Sequence, residues 1–130
     1  MTSLFLSRTP QAATGLEQLV LAVDLGTSGC KCALVSLEGE IRAWAFHSVP
    51  LHVSGLSVEQ EPQDWWNAFL RGANELLSAD PVRRRQVIAV CCSTQGEGTV
   101  CVDRDGVAIG RAMLWLDKRG AGAVKKRMGG

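Results

Sequence analysis

Neither sign of charge prevails in this chain of 130 residues. Lys and Arg number 14 against 13 Asp and Glu, a formal net charge of +1. That balance exerts no long-range pull on nucleic acid or an anionic membrane surface, so neither is an expected partner. No apolar run approaches the ~20 residues that a spanning helix needs. The 5 cysteines fall as Cys30-x-Cys32, Cys91-Cys92 and Cys101, with no Cys-x-x-Cys and no His at ligand spacing. A disulfide scaffold and a structural zinc site are therefore not expected. The cysteines read instead as small buried apolar residues in a reducing, cytoplasmic setting. Internal repeats and low-complexity tracts are absent too.

What is there fits one folded domain. Apolar residues make up 46% and charged residues 21%, and the length suffices to bury a core. Met1 to Leu16 holds one Arg and no acid, and its apolar patch Leu4-Phe5-Leu6 is too short for a secretory core. An organelle-targeting peptide and a plain disordered extension both remain open for it. Residues 1–17 are set aside as that extension, and residues 18–130 carry the fold.

Leu19 to Val23 is a continuous apolar run ending at Asp24, the pattern of a strand buried on both faces. Leu25-Gly26-Thr27-Ser28-Gly29 is turn chemistry, Cys30 to Leu37 the return strand, and Ile41 to Val49 a third strand after Glu38-Gly39-Glu40. Pro50 to Pro62 reads as a loop. A helix opens at Pro62 or Asp64, with Trp65, Trp66, Phe69, Leu70, Ala73, Leu76 and Leu77 on one stripe, and ends at Ala79-Asp80-Pro81. Val87 to Cys92 reads as a second doubly buried strand. Thr99–Val102 and Val107–Ile109 flank the hairpin turn Asp103-Arg104-Asp105-Gly106. Ala112 to Leu116 reads as a short strand and Lys118 to Met128 as a helix. The order β-β-β-α-β-β implies an α/β fold with a mixed sheet covered on both sides. A helix opening so late has nothing after it to pack against, so the chain reads as cut, with an apolar face left open to aggregation.

Three polar stretches leave the sheet. In Asp24-Leu25-Gly26-Thr27-Ser28-Gly29 an acid ends a buried strand at the sheet edge, where α/β proteins place ligands. The two glycines permit unusual backbone angles, and consecutive N–H groups form an anion-binding concavity. Asp24 can face phosphate only through Mg²⁺ or its water. A plain hairpin turn explains the motif equally well. In Ser93 to Thr99, Gln95 and Glu97 offer an amide and a carboxylate to a polyol; a solvated loop is the bland alternative. In Leu114-Trp115-Leu116-Asp117-Lys118-Arg119, a Trp and an Asp two apart share a face if the segment is extended. They make a sugar platform, or else Trp115 lies in the core and Asp117 caps the following helix. His47 and His52 have no acid or Cys partner in sequence and are not catalytic candidates. Arg83-Arg84-Arg85 and Lys125-Lys126-Arg127 lack interleaved aromatics and read as solvated helix faces. Lys31 is either a solvated strand residue or a phosphate contact. Trp65 and Trp66 read as packing the helix on the sheet.

Taken together and in order, these stretches are far more specific. Asp24 to Lys31 resembles the opening phosphate hairpin of the FGGY family of carbohydrate kinases. Glu59-Gln60-Glu61-Pro62-Gln63-Asp64-Trp65-Trp66 is similar to that family's acidic-Pro-Trp-Trp entry to its first helix, Gln95-Gly96-Glu97-Gly98 to its sugar-contacting loop, and Leu114 to Arg119 to the segment after it. The resemblance runs from about Val20 to the end and is xylulokinase-like in flavour. Xylulokinases usually read Gln-Met-His-Gly in the sugar loop, where Gly96 and Glu97 stand here; glycerol kinases share the Glu.

The resemblance implies part of the first lobe of an actin-like, RNase H-like ATPase fold. It implies transfer of the ATP γ-phosphoryl to a hydroxyl of a pentulose or related polyol, xylulose-like as first choice. ATP would lie by Asp24, Gly26, Thr27, Ser28, Gly29 and Lys31, with Mg²⁺ on Asp24 through water. The sugar would lie by Gln95, Gly96, Glu97, Trp115 and Asp117. The family's catalytic base, second phosphate loop, adenosine pocket and second lobe would lie past Gly130. No catalytic residue is therefore expected in these 130 residues, nor kinase activity from them alone, because one wall of a cleft cannot hold donor and acceptor in line. The full-length protein could form a homodimer. Two other classes stay open: a non-catalytic nucleotide- or sugar-binding module, and a heat-shock or filament ATPase, against which the Gln95 and Trp115 stretches speak.

Overall fold

The computed structural model describes residues 15–129. The 1–17 extension therefore lies almost wholly outside the described residues. β1 (Leu19–Gly26), β2 (Gly29–Ser36) and β3 (Ile41–Ser48) form an antiparallel meander. β4 (His52–Ser54) and β5 (Ser57–Gln60) follow as a small hairpin, then α1 (Pro62–Ser78) and the single turn α2 (Arg83–Gln86). β6 (Val87–Thr94) lies parallel to β1. β7 (Ala112–Met113) and α3 (Ala121–Arg127) complete the order. The main sheet runs β3-β2-β1-β6, and a second sheet runs β4-β5-β7.

Alternation builds the core. Leu19, Leu21 and Val23 of β1 and Cys30, Cys32 and Leu34 of β2 turn one face of the sheet inward, with Ala45 from β3. α1 lays Ala68, Ala73 and Leu76 on that face, with Trp65 and Phe69 packed at its edge. Gly72 sets the depth of that contact: a Cβ there would stand 2.8 Å from the Cys32 sulfur. Pro62 at the first turn and Asp64 beside it start the helix as the sequence predicts.

Several expectations are corrected. The presumed loop between Pro50 and Pro62 contains the β4–β5 hairpin, whose strands are too short and polar to show a period. β6 is exposed along nearly all its length rather than doubly buried, because it is an edge strand paired only with β1. Among the described residues, the sheet face away from α1 carries Ile41, Trp44 and Phe46 in solvent, so it is not covered on both sides. Thr99–Val102 and Val107–Ile109 are not strands. They contribute single bridges, Thr99 with Met113 and Val102 with Ala108, around a turn in which Asp103 accepts the N–H groups of Asp105 and Val107. The last helix begins at Ala121, not Lys118. Cys91, Cys92 and Cys101 are exposed; Cys30 and Cys32 alone behave as buried apolar residues, and burial pushes the Cys32 thiol up to about 12. Trp66 stands in solvent against Phe69, ring centroids 5.3 Å apart. His47 does have an acid partner, Glu75 of α1 at 3.0 Å, which only the fold brings near.

Candidate functional site

The two parallel strands, β1 and β6, end side by side. The turn after β1 and the loop after β6 therefore leave the same sheet edge, and the Gln95 N–H donates to the Leu25 carbonyl at 2.8 Å, holding them together. Between them opens a cleft of about 400 Å³. Asp24, Gly26 and Thr27 line one side, Gln95, Gly96 and Glu97 the other, and Trp115 borders both. Residues far apart in sequence thus converge on one concave place. Trp115 is 54% exposed, so it is not a core residue.

Not every candidate joins them. Ser28 is exposed at the turn and its carbonyl accepts the Val49 N–H at 3.1 Å. Gly29 opens β2 and is buried beside β3, opposite Ser48. Neither Gly26 nor Gly29 adopts a positive φ, so unusual backbone angles are not why glycine stands there. Gly29 is required by proximity: a Cβ would meet the His47 carbonyl oxygen at 2.4 Å and the Phe46 ring at 2.8 Å. Lys31 faces Asp24 across the β1–β2 pair, and its ammonium lies 3.0 Å from the Asp24 carboxylate. Both are well exposed, so the pair itself contributes at most about 1 kcal/mol. It brings a cation to the cleft's rim without lining it.

Asp117 is also outside the cleft. The segment is not extended: the Asp117 N–H closes a turn onto the Leu114 carbonyl at 2.9 Å, so Trp115 and Asp117 diverge. The Asp117 carboxylate is 8% exposed. It accepts the Val58 and Arg119 N–H groups, both at 3.0 Å, and the Arg119 guanidinium at 2.7 Å. Those bonds, the guanidinium first, hold its carboxyl down to about 2. Arg119 also reaches Glu59 at 2.6 Å, so this cluster clamps β5 to the turn after β7 and thereby places Trp115.

Glu97 is the one non-glycine residue among those described with a positive φ, 59°. A left-handed conformation costs an ordinary residue about 1–2 kcal/mol, and glycines on both sides let the chain enter and leave it. The strain sits where the cleft is.

Sequence reasoning missed Gln60. It is fully buried at the end of β5, immediately before the helix-opening Glu61-Pro62. Its amide bonds Thr27, Gln95 and Trp65 at 2.8, 3.0 and 2.9 Å. A glutamine in the entry motif was the available signal, but nothing in its neighbours tells that it turns inward.

Helix α1 and the strand meander on one sheet define an α/β lobe whose polar cleft lies at the parallel strand ends, where α/β folds place ligands. Residues 19–128 match the N-terminal domain of the FGGY family of carbohydrate kinases, and the chain belongs to that family. It is 34% identical over 102 residues to a xylulose kinase of Bacillus subtilis, covering 77% of this chain and 20% of that protein. It is 37% identical over 105 residues to a glycerol kinase of Xanthobacter autotrophicus, covering 78% and 21%. The chain thus spans about a fifth of the length of these relatives. Among solved structures, xylulose kinase from Rhodospirillum rubrum superposes with a TM-score of 0.80 at 20% identity, covering 86% of this chain and 23% of that one. Plasmodium falciparum glycerol kinase with ADP gives 0.74 at 19% identity, covering 87% and 23%. The fold is the actin-like, RNase H-like ATPase fold, present as a partial lobe. No described helix is long and apolar enough to cross a membrane.

Proposed function

We propose that this chain supplies one wall of an ATP-dependent sugar or polyol kinase, which transfers the γ-phosphoryl group of ATP to a hydroxyl of a pentulose or related polyol. The observation that carries the reading is the convergence of Asp24, Thr27, Gln95, Glu97 and Trp115 on one cleft at the sheet edge. Gln95 and Glu97 suit hydroxyl groups, which both donate and accept. The exposed Trp115 ring offers an apolar surface to sugar C–H groups. Asp24 is exposed and on the side of the Thr27 turn. A single carboxylate fits Mg²⁺, which keeps most of its water and takes its remaining ligands from phosphate; Lys31 beside it adds positive charge. Mg²⁺ there would neutralise phosphate charge, while the backbone N–H groups of the turn orient the phosphates. Xylulose is the first choice of substrate, with glycerol next because Glu97 stands in the loop. Ser28 and Gly29 belong to the phosphate side only through the turn they shape, Lys31 through its charge beside Asp24, and Asp117 serves the sugar side through the placement of Trp115.

One wall cannot align donor and acceptor, so the 130 residues alone are expected to release no ADP above blank from ATP, Mg²⁺ and D-xylulose. The positive test is a chimera in which this chain replaces the matching fifth of the Bacillus subtilis xylulose kinase. Xylulose-dependent ADP release is expected, with the Asp24→Asn and Trp115→Ala versions at least about tenfold slower. A folded, active chimera indifferent to both changes would overturn the reading.

A further inference from the structure

We propose that Gln60, which does not line the cleft, is the positioning residue that fixes the polarity of its hydrogen-bonding groups. Donors and acceptors allow only one arrangement. The Thr27 carbonyl can only accept, and it lies 2.8 Å from one end of the Gln60 amide, which must be Nε2. The Trp65 indole can only donate, and it lies 2.9 Å from the other end, which must be Oε1. The orientation of this buried amide is therefore forced. Gln95 approaches the same Oε1 at 3.0 Å, so it must present its own N–H there and turn its Oε1 to the Thr27 hydroxyl, 3.0 Å away. Thr27 must then spend its proton on Gln95. Its lone pair is left to accept the Trp115 indole N–H at 3.2 Å.

One amide thus dictates the state of two cleft side chains from separate segments, and through them the acceptor that Trp115 meets. Gln95 is left with one N–H and an oxygen lone pair, and the Thr27 hydroxyl with no free proton. A ligand group meeting the Thr27 hydroxyl must therefore donate to it, as a sugar hydroxyl can and a bare phosphate oxygen cannot, so phosphate at this turn is left to its backbone N–H groups. No apolar residue of the same length could replace Gln60 without freeing Gln95 and Thr27 to rotate, and a buried network of this kind is strong only when complete. The relay stands on the hydrogen bonds alone; its consequence for ligand choice rests on the polyol reading of the cleft.

The test uses ¹⁵N-labelled chain and its four indole N–H signals, from Trp44, Trp65, Trp66 and Trp115. In Gln60→Met the Trp65 signal is expected to shift as a direct partner. The Trp115 signal is expected to shift too and to exchange faster with water, although Gln95 and Thr27 stand between. Trp44 and Trp66 should hold, reporting an intact fold. Trp65→Phe, which leaves the Thr27 and Gln95 bonds in place, should not move Trp115. A Gln60→Met chain in which Trp65 moves and Trp115 does not overturns the relay. In the unaltered chain, the Gln60 side-chain N–H groups should exchange far more slowly than those of Gln63, which bonds Asn67 on the helix surface; equal rates also overturn it. Titration with D-xylulose, read on Trp115, should then weaken by roughly tenfold in Gln60→Met. No xylulose response in the unaltered chain, with the indole coupling present, sinks the polyol reading and leaves the positioning role standing.

Discussion

Replacing Gly29 by alanine is expected to unfold the β1–β2 hairpin far more readily than the same change at Gly26, three residues earlier. The added Cβ at residue 29 would stand 2.4 Å from the His47 carbonyl oxygen and 2.8 Å from the Phe46 ring. The first contact is backbone, so it cannot be relieved by a rotamer; β3 must shift by nearly an ångström at the Gly29–Ser48 pair. Overpacking of this kind costs about 1–3 kcal/mol, and a weakened ladder bond adds about 1 kcal/mol. Alanine returns about 0.4–1 kcal/mol by restricting the unfolded chain. The net loss is about 2 kcal/mol. At residue 26 the nearest atom to a Cβ is the Gly29 oxygen at 3.6 Å, an ordinary contact, so Gly26→Ala should be neutral or slightly stabilising. Thermal melts followed by circular dichroism would show Gly29→Ala lower by roughly 8 °C or more. Equal melting temperatures for the two variants would refute the claim that proximity, not backbone angle, demands glycine at 29.

Three other outcomes follow from the structure. The carboxyl of Asp117 is held down to about 2. A depressed acid stabilises the fold fully above its ordinary value and loses that contribution as pH falls through its folded value. Asp117→Asn should therefore be less stable than the parent at neutral pH, with the gap in denaturant midpoint closing between about pH 4 and 2; a constant gap would contradict the Arg119 clamp. A maleimide reagent should label Cys91, Cys92 and Cys101 in the folded chain, but Cys30 and Cys32 only after unfolding; mass spectrometry of digests reads this directly. Glu97→Gly removes the strained left-handed side chain and should raise stability by up to about 1 kcal/mol, while a chimera carrying it loses xylulose turnover. Unchanged turnover would remove Glu97 from the site.

What the sequence shows and what it hides divide along physical lines. The meander and α1 are legible to within a residue or two, because unbroken apolar runs, turn residues and a helical stripe are local signals. The cleft was legible as three separate polar stretches. Their convergence was not, since it depends on the parallel pairing of β1 with β6. The β4–β5 hairpin escapes because its strands are stabilised by β7, some fifty residues on. The exposure of β6 escapes because an apolar pattern says that a strand can be buried, not what covers it. Asp117 illustrates a different failure: two residues apart share a face only in an extended chain, and here the backbone turns between them. Gln60 could not be found by pattern, because its partners Thr27 and Gln95 come from two other turns.

The central claim is that one cleft holds phosphate at the backbone of its turn at residues 26–28 and a polyol on its Glu97 side. Mapping ¹⁵N amide shifts on adding Mg²⁺–ATP and D-xylulose in turn tests it most directly. The nucleotide should move Asp24 to Ser28, and the sugar should move Gln95 to Glu97 with the Trp115 indole. Shifts confined to other surfaces, or Gln95 to Glu97 moved by the nucleotide as much as by the sugar, would contradict it.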